Sequence, residues 1–345
     1  MKKEIFVGKI GIGGNHPVSV QSMTNTDTRD VNSTLSQIRS LYVAGCDIVR
    51  LGIPDKEAIT PLKKIIKESP LPVIGDIHFN PDLALKAIEA GVDGIRINPG
   101  NISSRAKLLD ILKMAGDKNI PIRIGVNSGS IETKYRRSGI SRAEMMVNSV
   151  MDKIKLFEDN GFFNIKISLK SSNVKETIES YRIIDKKCEY PLHLGITEAG
   201  TFFSGTIKSS IGIGSLLADG IGNTIRVSLT DDPVEEIRVG NEILKVLGLK
   251  ESGVEVISCP TCSRVSVDLI EIVKKFEKEL KTRNIKKNIK VAIMGCEVNG
   301  PGEAKSADIG IAFSKKQGYI FRNGKPVEKV APEISINRLL EIIEE

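Results

Sequence analysis

At 345 residues the chain is longer than one hydrophobic core commonly organises, and a barrel of about 250 residues followed by a smaller domain is the natural division. Hydrophobic residues at 40% and charged residues at 27% are ordinary for a soluble globular protein, and no apolar run reaches the roughly 18 residues of a membrane span. The balance of 50 Lys and Arg against 43 Asp and Glu, net +7, suits anionic ligands better than nucleic acid, because aromatics are only 4% and none interleaves with the basic stretch 281–290.

The N-terminal MKKEIFVGKIGIGG has no apolar stretch long enough for a signal peptide, so a cytoplasmic location is expected. From residue 18 onward, short β-branched runs alternate with helix-like segments. The runs are VSVQSM (18–23), CDIVRLGI (46–53), VIGDIHF (73–79), GIRINPG (94–100), IRIGVN (122–127), NIKISLK (164–170), LHLGITEA (192–199) and TIRVSL (224–229). Each has the length of a buried parallel strand. Several of the intervening segments end in a glycine that stops a helix: Gly45, Gly91 and Gly161. Eight such pairs predict a (β/α)8 TIM barrel over residues 1–250, whereas an open doubly wound sheet would be better served by about six.

After Leu247, GLKESGVEV reads as a linker, and residues 251–345 read as a small α+β domain. ISCPTCSR leads into a helix at about 265–281, then a strand at 290–296, a glycine-rich turn and a strand at 307–313. YIFRNGKPVEKV (319–330) predicts a hairpin turning at Asn323-Gly324, and INRLLEIIEE a closing helix.

The even-numbered barrel strands each carry a cation: Arg50, Arg96, Lys166 and Arg226. Alternate strands supply one interior layer of such a barrel, so the four are expected to converge. An unpaired cation in a dry interior costs several kcal/mol. Either carboxylates such as Asp47, Asp76 and Asp93 pair with them, or a bound anion does. The odd strands add Asp76 and His78, then Arg123 and Asn127, then Glu198, at the strand ends where catalytic groups of these barrels sit. Guanidinium forks and asparagines around a cavity suit a diphosphate. Lys208, in SGTIKSSIGIG (204–214), adds a cation near a predicted helix start, a second place for phosphate.

Five cysteines, an odd number, argue against a disulfide framework. Cys259-Pro-Thr-Cys262 is followed by Cys296 in MGCEVNGPGEA. Structural zinc needs a fourth Cys or His, yet all three histidines lie in the first domain. A dithiol redox pair leaves Cys296 without a role. Three thiolates beside a glycine-rich turn suit an iron–sulfur cluster, with Glu297 or Glu303 as nearby candidates for an exchangeable oxygen ligand. Cys46 and Cys188 read as small buried hydrophobes.

VSVQSMTNTDT, DIVRLGIP, DIHFN, GIRINPGN, GVNSGS, GITEAG, SGTIKSSIGIG, TIRVSLT, ISCPTCSR and MGCEVNGPGEA together resemble the bacterial 4-hydroxy-3-methylbut-2-enyl diphosphate synthases. The resemblance runs over nearly the whole chain. It implies reductive opening of 2-C-methyl-D-erythritol 2,4-cyclodiphosphate in the non-mevalonate isoprenoid route, with ferredoxin or flavodoxin donating two electrons. It also implies a barrel followed by a cluster domain like those of sulfite and nitrite reductases. The implied [4Fe–4S] ligands are Cys259, Cys262, Cys296 and Glu303. Arg50, Arg96, Asn98, Arg123, Asn127, Lys166 and Lys208 match the family's diphosphate-binding positions. Glu198 matches its catalytic carboxylate, with Asp76 and His78 nearby.

A helix predicted at about 232–247 runs back along the barrel and delivers the chain to the face opposite the active site. A homodimer in which each cluster domain caps the partner's barrel mouth follows as the expected assembly.

Overall fold

The computed structural model describes every residue except 78–79, 99–101, 103, 132, 137–138, 252, 284, 286 and 298–306. The chain divides into two compact units, Met1–Lys250 and Glu251–Glu345.

The first unit opens with an antiparallel hairpin, β1 (Ile5–Val7) and β2 (Ile10–Ile12). Eight parallel strands follow: β3 (Ser19–Met23), β4 (Ile48–Gly52), β5 (Val73–Asp76), β6 (Gly94–Ile97), β7 (Ile122–Asn127), β8 (Ile165–Lys170), β9 (His193–Leu194) and β10 (Thr224–Ile225). The helices between and after them are α1 (Val31–Val43), α2 (Ile59–Glu68), α3 (Pro81–Ala90), α4 (Arg105–Asp117), α5 (Thr133–Arg136), α6 (Arg142–Glu158), α7 (Val174–Lys187), α8 (Phe202–Ala218) and α9 (Pro233–Val246). The ladder runs β8-β7-β6-β5-β4-β3-β10-β9, and a parallel bridge between Ile167 and Leu192 joins its two ends into a barrel. This is the TIM-barrel architecture that the strand–helix rhythm predicts.

Local chemistry sets the boundaries. Asn80 caps α3 through the Asp82 N–H with Pro81 next, and Ser141 and Glu144 form a reciprocal capping box on α6. Gly91 ends α3 at φ 93°, a left-handed conformation that glycine adopts without cost. The ladders of β9 and β10 are shorter than their apolar runs. Glu198, at φ 53°, already belongs to the turn at the barrel mouth.

Side chains alternate across the wall of the barrel. Val49, Leu51, Val73, Ile95, Ile122, Ile124, Ile165, Ile167 and Ile225 point outward into the helices and make the main core. At the N-terminal ends of the strands, Ile48 and Ile74 pack on Ile5, Val7 and Ile12, so the hairpin plugs the barrel floor with a dry apolar layer.

The second unit is a five-stranded sheet in the order β11-β12-β13-β14-β15, built from β11 (Val254–Ser258), β12 (Ile289–Met294), β13 (Ile309–Phe313), β14 (Gly318–Arg322) and β15 (Lys325–Val330). The first three strands are parallel and the last two complete an antiparallel meander. Asn323 and Gly324 both have positive φ, 49° and 75°, as a two-residue hairpin turn requires. Helices α10 (Leu269–Thr282) and α11 (Ser335–Glu344) cover the sheet, with Phe276 and Leu340 buried against Ile293, Ile311 and Phe313. The first of these helices starts at Leu269 because Asp268 supplies the cap, accepting from the Glu271 N–H at 3.1 Å.

Candidate functional site: a cationic barrel interior

Facing the barrel axis is not the usual branched aliphatic packing but a set of charges. Arg50, Arg96, Arg123, Lys166 and Lys170, five cations, are all buried. They do not come from even strands alone. Arg96 on β6, Arg123 on β7 and Lys166 on β8 are register neighbours on three adjacent strands, so the odd fifth strand joins the same array. Two strand glycines make room for these long side chains. A β-carbon at Gly125 would meet Arg96 Nε at 3.3 Å, and one at Gly195 would meet Lys170 Nζ at 2.5 Å.

Asp76 is the carboxylate that enters this array. It stands 3.5 Å from Arg50 and 3.2 Å from Arg96. Arg50 also donates to the Met23 sulfur, at 3.0 and 3.3 Å. Arg226, half-buried, is 3.7 Å from Glu236 of α9, which is further held by the Ser22 hydroxyl and the Leu229 N–H. Asp47 and Asp93 accept instead from the backbone N–H groups of Val20 and Val73, so they do not neutralise the cations.

The remaining cations are less well matched. Lys166 Nζ and Arg123 Nε and Nη1 are buried without a hydrogen-bond partner among the described residues. Burial and the neighbouring cations bring Arg50 down to about 10 and push Arg123, Lys166 and Lys170 well below their ordinary values. His193 on β9, fully buried with its Nδ1 against the Thr224 hydroxyl, is pushed down by burial and by Lys170, Arg123 and Lys166. Such an interior attracts anions strongly, because its buried cations outnumber the carboxylates that the described residues set beside them.

The C-terminal rim carries Asp76, Asn98, Asn127 and Lys170 at or just beyond the ends of their strands. Glu198 is exposed at the turn after β9, and its left-handed backbone costs roughly 1 kcal/mol for a residue with a side chain. His78 lies outside the described residues. Lys208 is not at a helix start. α8 begins at Phe202 with Thr201 as its N-cap, which puts Lys208 about two turns inside the helix, half-buried. Its chain amide is within the helical ladder, so the first-turn donors belong to residues nearer Thr201. Lys170 and His193 escaped the sequence reading. The signal was there for Lys170, which stands one step of the strand period beyond Ser168 and two beyond Lys166 on the same face.

In the second unit the parallel strands β11 and β12 end side by side, Ser258 opposite Ile293. Cys259 follows the first strand end and Cys296 the second, and the Gly295 N–H donates to Cys259 Sγ at 3.3 Å. Cys262 is exposed, Cys259 half-buried and Cys296 buried. Among the described residues no group of three or more His, Cys, Asp and Glu stands close enough to hold a metal ion, and Glu303 lies outside those residues. The donor chemistry nevertheless fits an iron–sulfur group: thiols at neighbouring strand ends, with a backbone N–H already directed at sulfur. Burial pushes the Cys46 thiol up to about 12, and its Sγ donates to the Ile48 carbonyl at 3.1 Å, as a structural cysteine does.

A closed barrel with a cationic interior, joined to a domain that brings cysteines to one end of a sheet, defines a two-domain TIM-barrel enzyme class. The family model described as the GcpE TIM-barrel domain matches residues 2–241, and that described as the GcpE protein C-terminal domain matches residues 255–345. The chain belongs to the GcpE family. A relative from Clostridium perfringens (strain 13 / Type A) is 56% identical over 99% of this chain and 98% of its own length. Another, from Geobacter sulfurreducens, is 52% identical over 95% of this chain and 93% of its own length. Both carry the name 4-hydroxy-3-methylbut-2-en-1-yl diphosphate synthase (flavodoxin). Among solved structures, the Yersinia pestis dihydropteroate synthase matches with a TM-score of 0.52 at 11% identity, over 72% of this chain and 98% of that one. The 3-dehydroquinate dehydratase of Geobacillus kaustophilus matches at 0.51 and 13% identity, over 71% and 99%. These two likenesses show the barrel fold alone. No described helix is long and apolar enough to cross a membrane.

Proposed function

We propose that this enzyme, an oxidoreductase of the isoprenoid route, opens 2-C-methyl-D-erythritol 2,4-cyclodiphosphate reductively to 4-hydroxy-3-methylbut-2-enyl diphosphate. The observation that carries the reading is the barrel interior, where five buried cations face Asp76 as the carboxylate of the array. A diphosphate supplies the missing negative charge in a form that guanidinium forks can grip.

Arg50, Arg96, Arg123 and Lys170 hold the diphosphate, Asn98 and Asn127 orient it at the rim, and Arg226 completes the circle. Lys166, in register with Arg123, joins this group. The same cations stabilise the charge that gathers on phosphate when the ring C–O bond breaks. Asp76 keeps Arg50 and Arg96 in place before the substrate arrives. Glu198, at the mouth, gives the proton with which the departing hydroxyl leaves as water. His78 joins this rim by the family resemblance, as does Lys208 from α8.

Cys259, Cys262 and Cys296, with Glu303 as the fourth ligand, would hold a [4Fe–4S] cluster, which when bound would pass on the donor's two electrons one at a time. Flavodoxin is the donor named for the relatives. The working unit is a homodimer in the cytoplasm, each cluster domain closing the partner's barrel.

The test is anaerobic turnover of the cyclic diphosphate with reduced flavodoxin, followed by product analysis. Formation of the open-chain diphosphate by the wild-type protein, and its loss in Arg96→Ala through a roughly ten- to hundredfold weaker substrate complex, is the expected result. Absence of product with an intact cluster would overturn the reading.

A further inference from the structure

Below the rim, four consecutive strands, β8, β9, β10 and β3, turn polar side chains to the barrel axis. These are Lys166, His193, Thr224, Ser19 and Gln21, all buried. Thr224 is in register with both His193 and Ser19. Lys166 Nζ, His193 Nε2, Ser19 Oγ and both side-chain polar atoms of Gln21 have no hydrogen-bond partner among the described residues. Beneath them the hairpin plug is dry. Buried polar atoms are almost always satisfied, so this wall offers hydrogen-bonding groups whose partners the described residues do not supply.

Lys166 is the ionisable group deepest in that wall. It is 1% exposed, and it sits four residues, about 13 Å of strand, before Lys170 at the rim. It stands in register with Arg123 on the neighbouring strand. The charged groups facing it are Arg123 from β7 and Arg50 from β4, and beyond them His193 from β9 and Lys170 from its own strand. Arg226 on the far strand is turned to Glu236, and Asp76 is engaged by Arg50 and Arg96. Among the described residues, therefore, Lys166 meets two guanidinium groups and no carboxylate. A lysine can escape that repulsion by shedding its proton, which an arginine does not do.

We propose that Lys166 is a proton-uptake site: it stands as a neutral amine in the empty barrel and takes one proton from solvent when an anionic diphosphate fills the rim above it. This rests on the diphosphate reading above and deepens it. The burial and the two guanidinium neighbours that hold the amine down are in place before binding. The incoming anion offsets those neighbours and raises the affinity of Lys166 for its proton. The unpartnered polar atoms of Gln21, Ser19 and His193 offer the proton hydrogen-bonding steps beside Lys166. By linkage the sign is fixed: complex formation consumes a proton, so affinity weakens as pH rises, by up to about tenfold per unit for one full proton, until the pH passes the value Lys166 has in the complex.

The experiment is calorimetric titration of the oxidised holoenzyme with the cyclic diphosphate, with no electron donor so that no turnover occurs. It is run at one pH in buffers of widely different ionisation enthalpy. The observed heat should vary linearly with buffer ionisation enthalpy, with a slope reporting close to one proton taken up. Lys166→Met should remove that uptake and flatten the pH dependence of Kd. Lys166→Arg, permanently charged, keeps a cation in the fold and should also remove the uptake. A wild-type slope of zero with normal binding overturns the proposal and leaves the diphosphate reading standing. An undiminished slope in both variants, or one lost instead in His193→Gln, overturns it as well. Failure of the wild-type protein to bind the cyclic diphosphate at all would overturn the diphosphate reading itself.

Discussion

A β-carbon placed on Gly195 would come within 2.5 Å of the Lys170 ammonium and 2.6 Å of the Arg226 carbonyl oxygen. The glycine on β9's exit is therefore a seat for a cation delivered by the neighbouring strand. Gly195→Ala must move either Lys170 or the Arg226 backbone. Overpacking of this kind costs about 1–3 kcal/mol, and displacing Lys170 from the diphosphate weakens the complex tenfold or more. Urea unfolding and calorimetric binding measure the two effects separately. Lys170→Met should reproduce the loss of affinity without the loss of stability. Wild-type affinity in Gly195→Ala would remove Lys170 from the site.

Asp76 balances Arg50 and Arg96 in the empty barrel. Its replacement by Asn leaves two buried guanidinium groups facing each other, and the folded state should lose about 3 kcal/mol. Because the missing charge can be lent by a ligand, excess pyrophosphate should restore much of that loss. Binding at a hundredfold excess over Kd contributes about 2.7 kcal/mol. The measurement is the urea midpoint with and without pyrophosphate. An unchanged midpoint in Asp76→Asn alone would mean that the cations are neutralised by something else.

Cluster assembly should depend unequally on the four proposed ligands. Cys262→Ala and Cys296→Ala should lose most iron and acid-labile sulfide. Glu303→Ala should assemble a cluster that decays faster in air, because a carboxylate is the more exchangeable ligand. Cys46→Ala, at a buried thiol bonded to the Ile48 carbonyl, should keep full iron content. A full iron and sulfide complement in Cys262→Ala would overturn the assignment.

Glu198 separates chemistry from binding. Glu198→Gln keeps the size of the side chain and removes its acid, so the cyclic diphosphate should still bind while turnover collapses. The same variant tests the assembly. α9 is 14 residues, about 21 Å, and runs from the strand ends back toward the barrel floor, away from the mouth. If each cluster domain serves the partner's barrel, mixing Glu198→Gln chains with Cys262→Ala chains should recover activity through one intact site per mixed dimer. No recovery after demonstrated subunit exchange would mean that each chain closes its own site.

Much of this protein is written locally. The period of two in IRIGVN and NIKISLK commits Arg123 and Asn127, or Lys166 and Lys170, to one face whatever surrounds them, and the opposite face is aliphatic throughout. Gly45, Gly91 and Gly161 close their helices with φ of 89°, 93° and 72°, and Asn323-Gly324 turns the hairpin, because these conformations suit few other residues. What the chain could not declare is which charge answers which. Asp47, Asp76 and Asp93 are equivalent candidates on paper. Only closure of the barrel leaves Asp76 between Arg50 and Arg96 while the other two cap backbone N–H groups. Glu236 reaches Ser22 across a separation of 214 residues, and Lys166 Nζ ends without a hydrogen-bond partner among the described residues. Neutralisation of a buried charge depends on distances of a few ångströms between strands far apart in the chain, so it is decided by the tertiary structure and by nothing shorter.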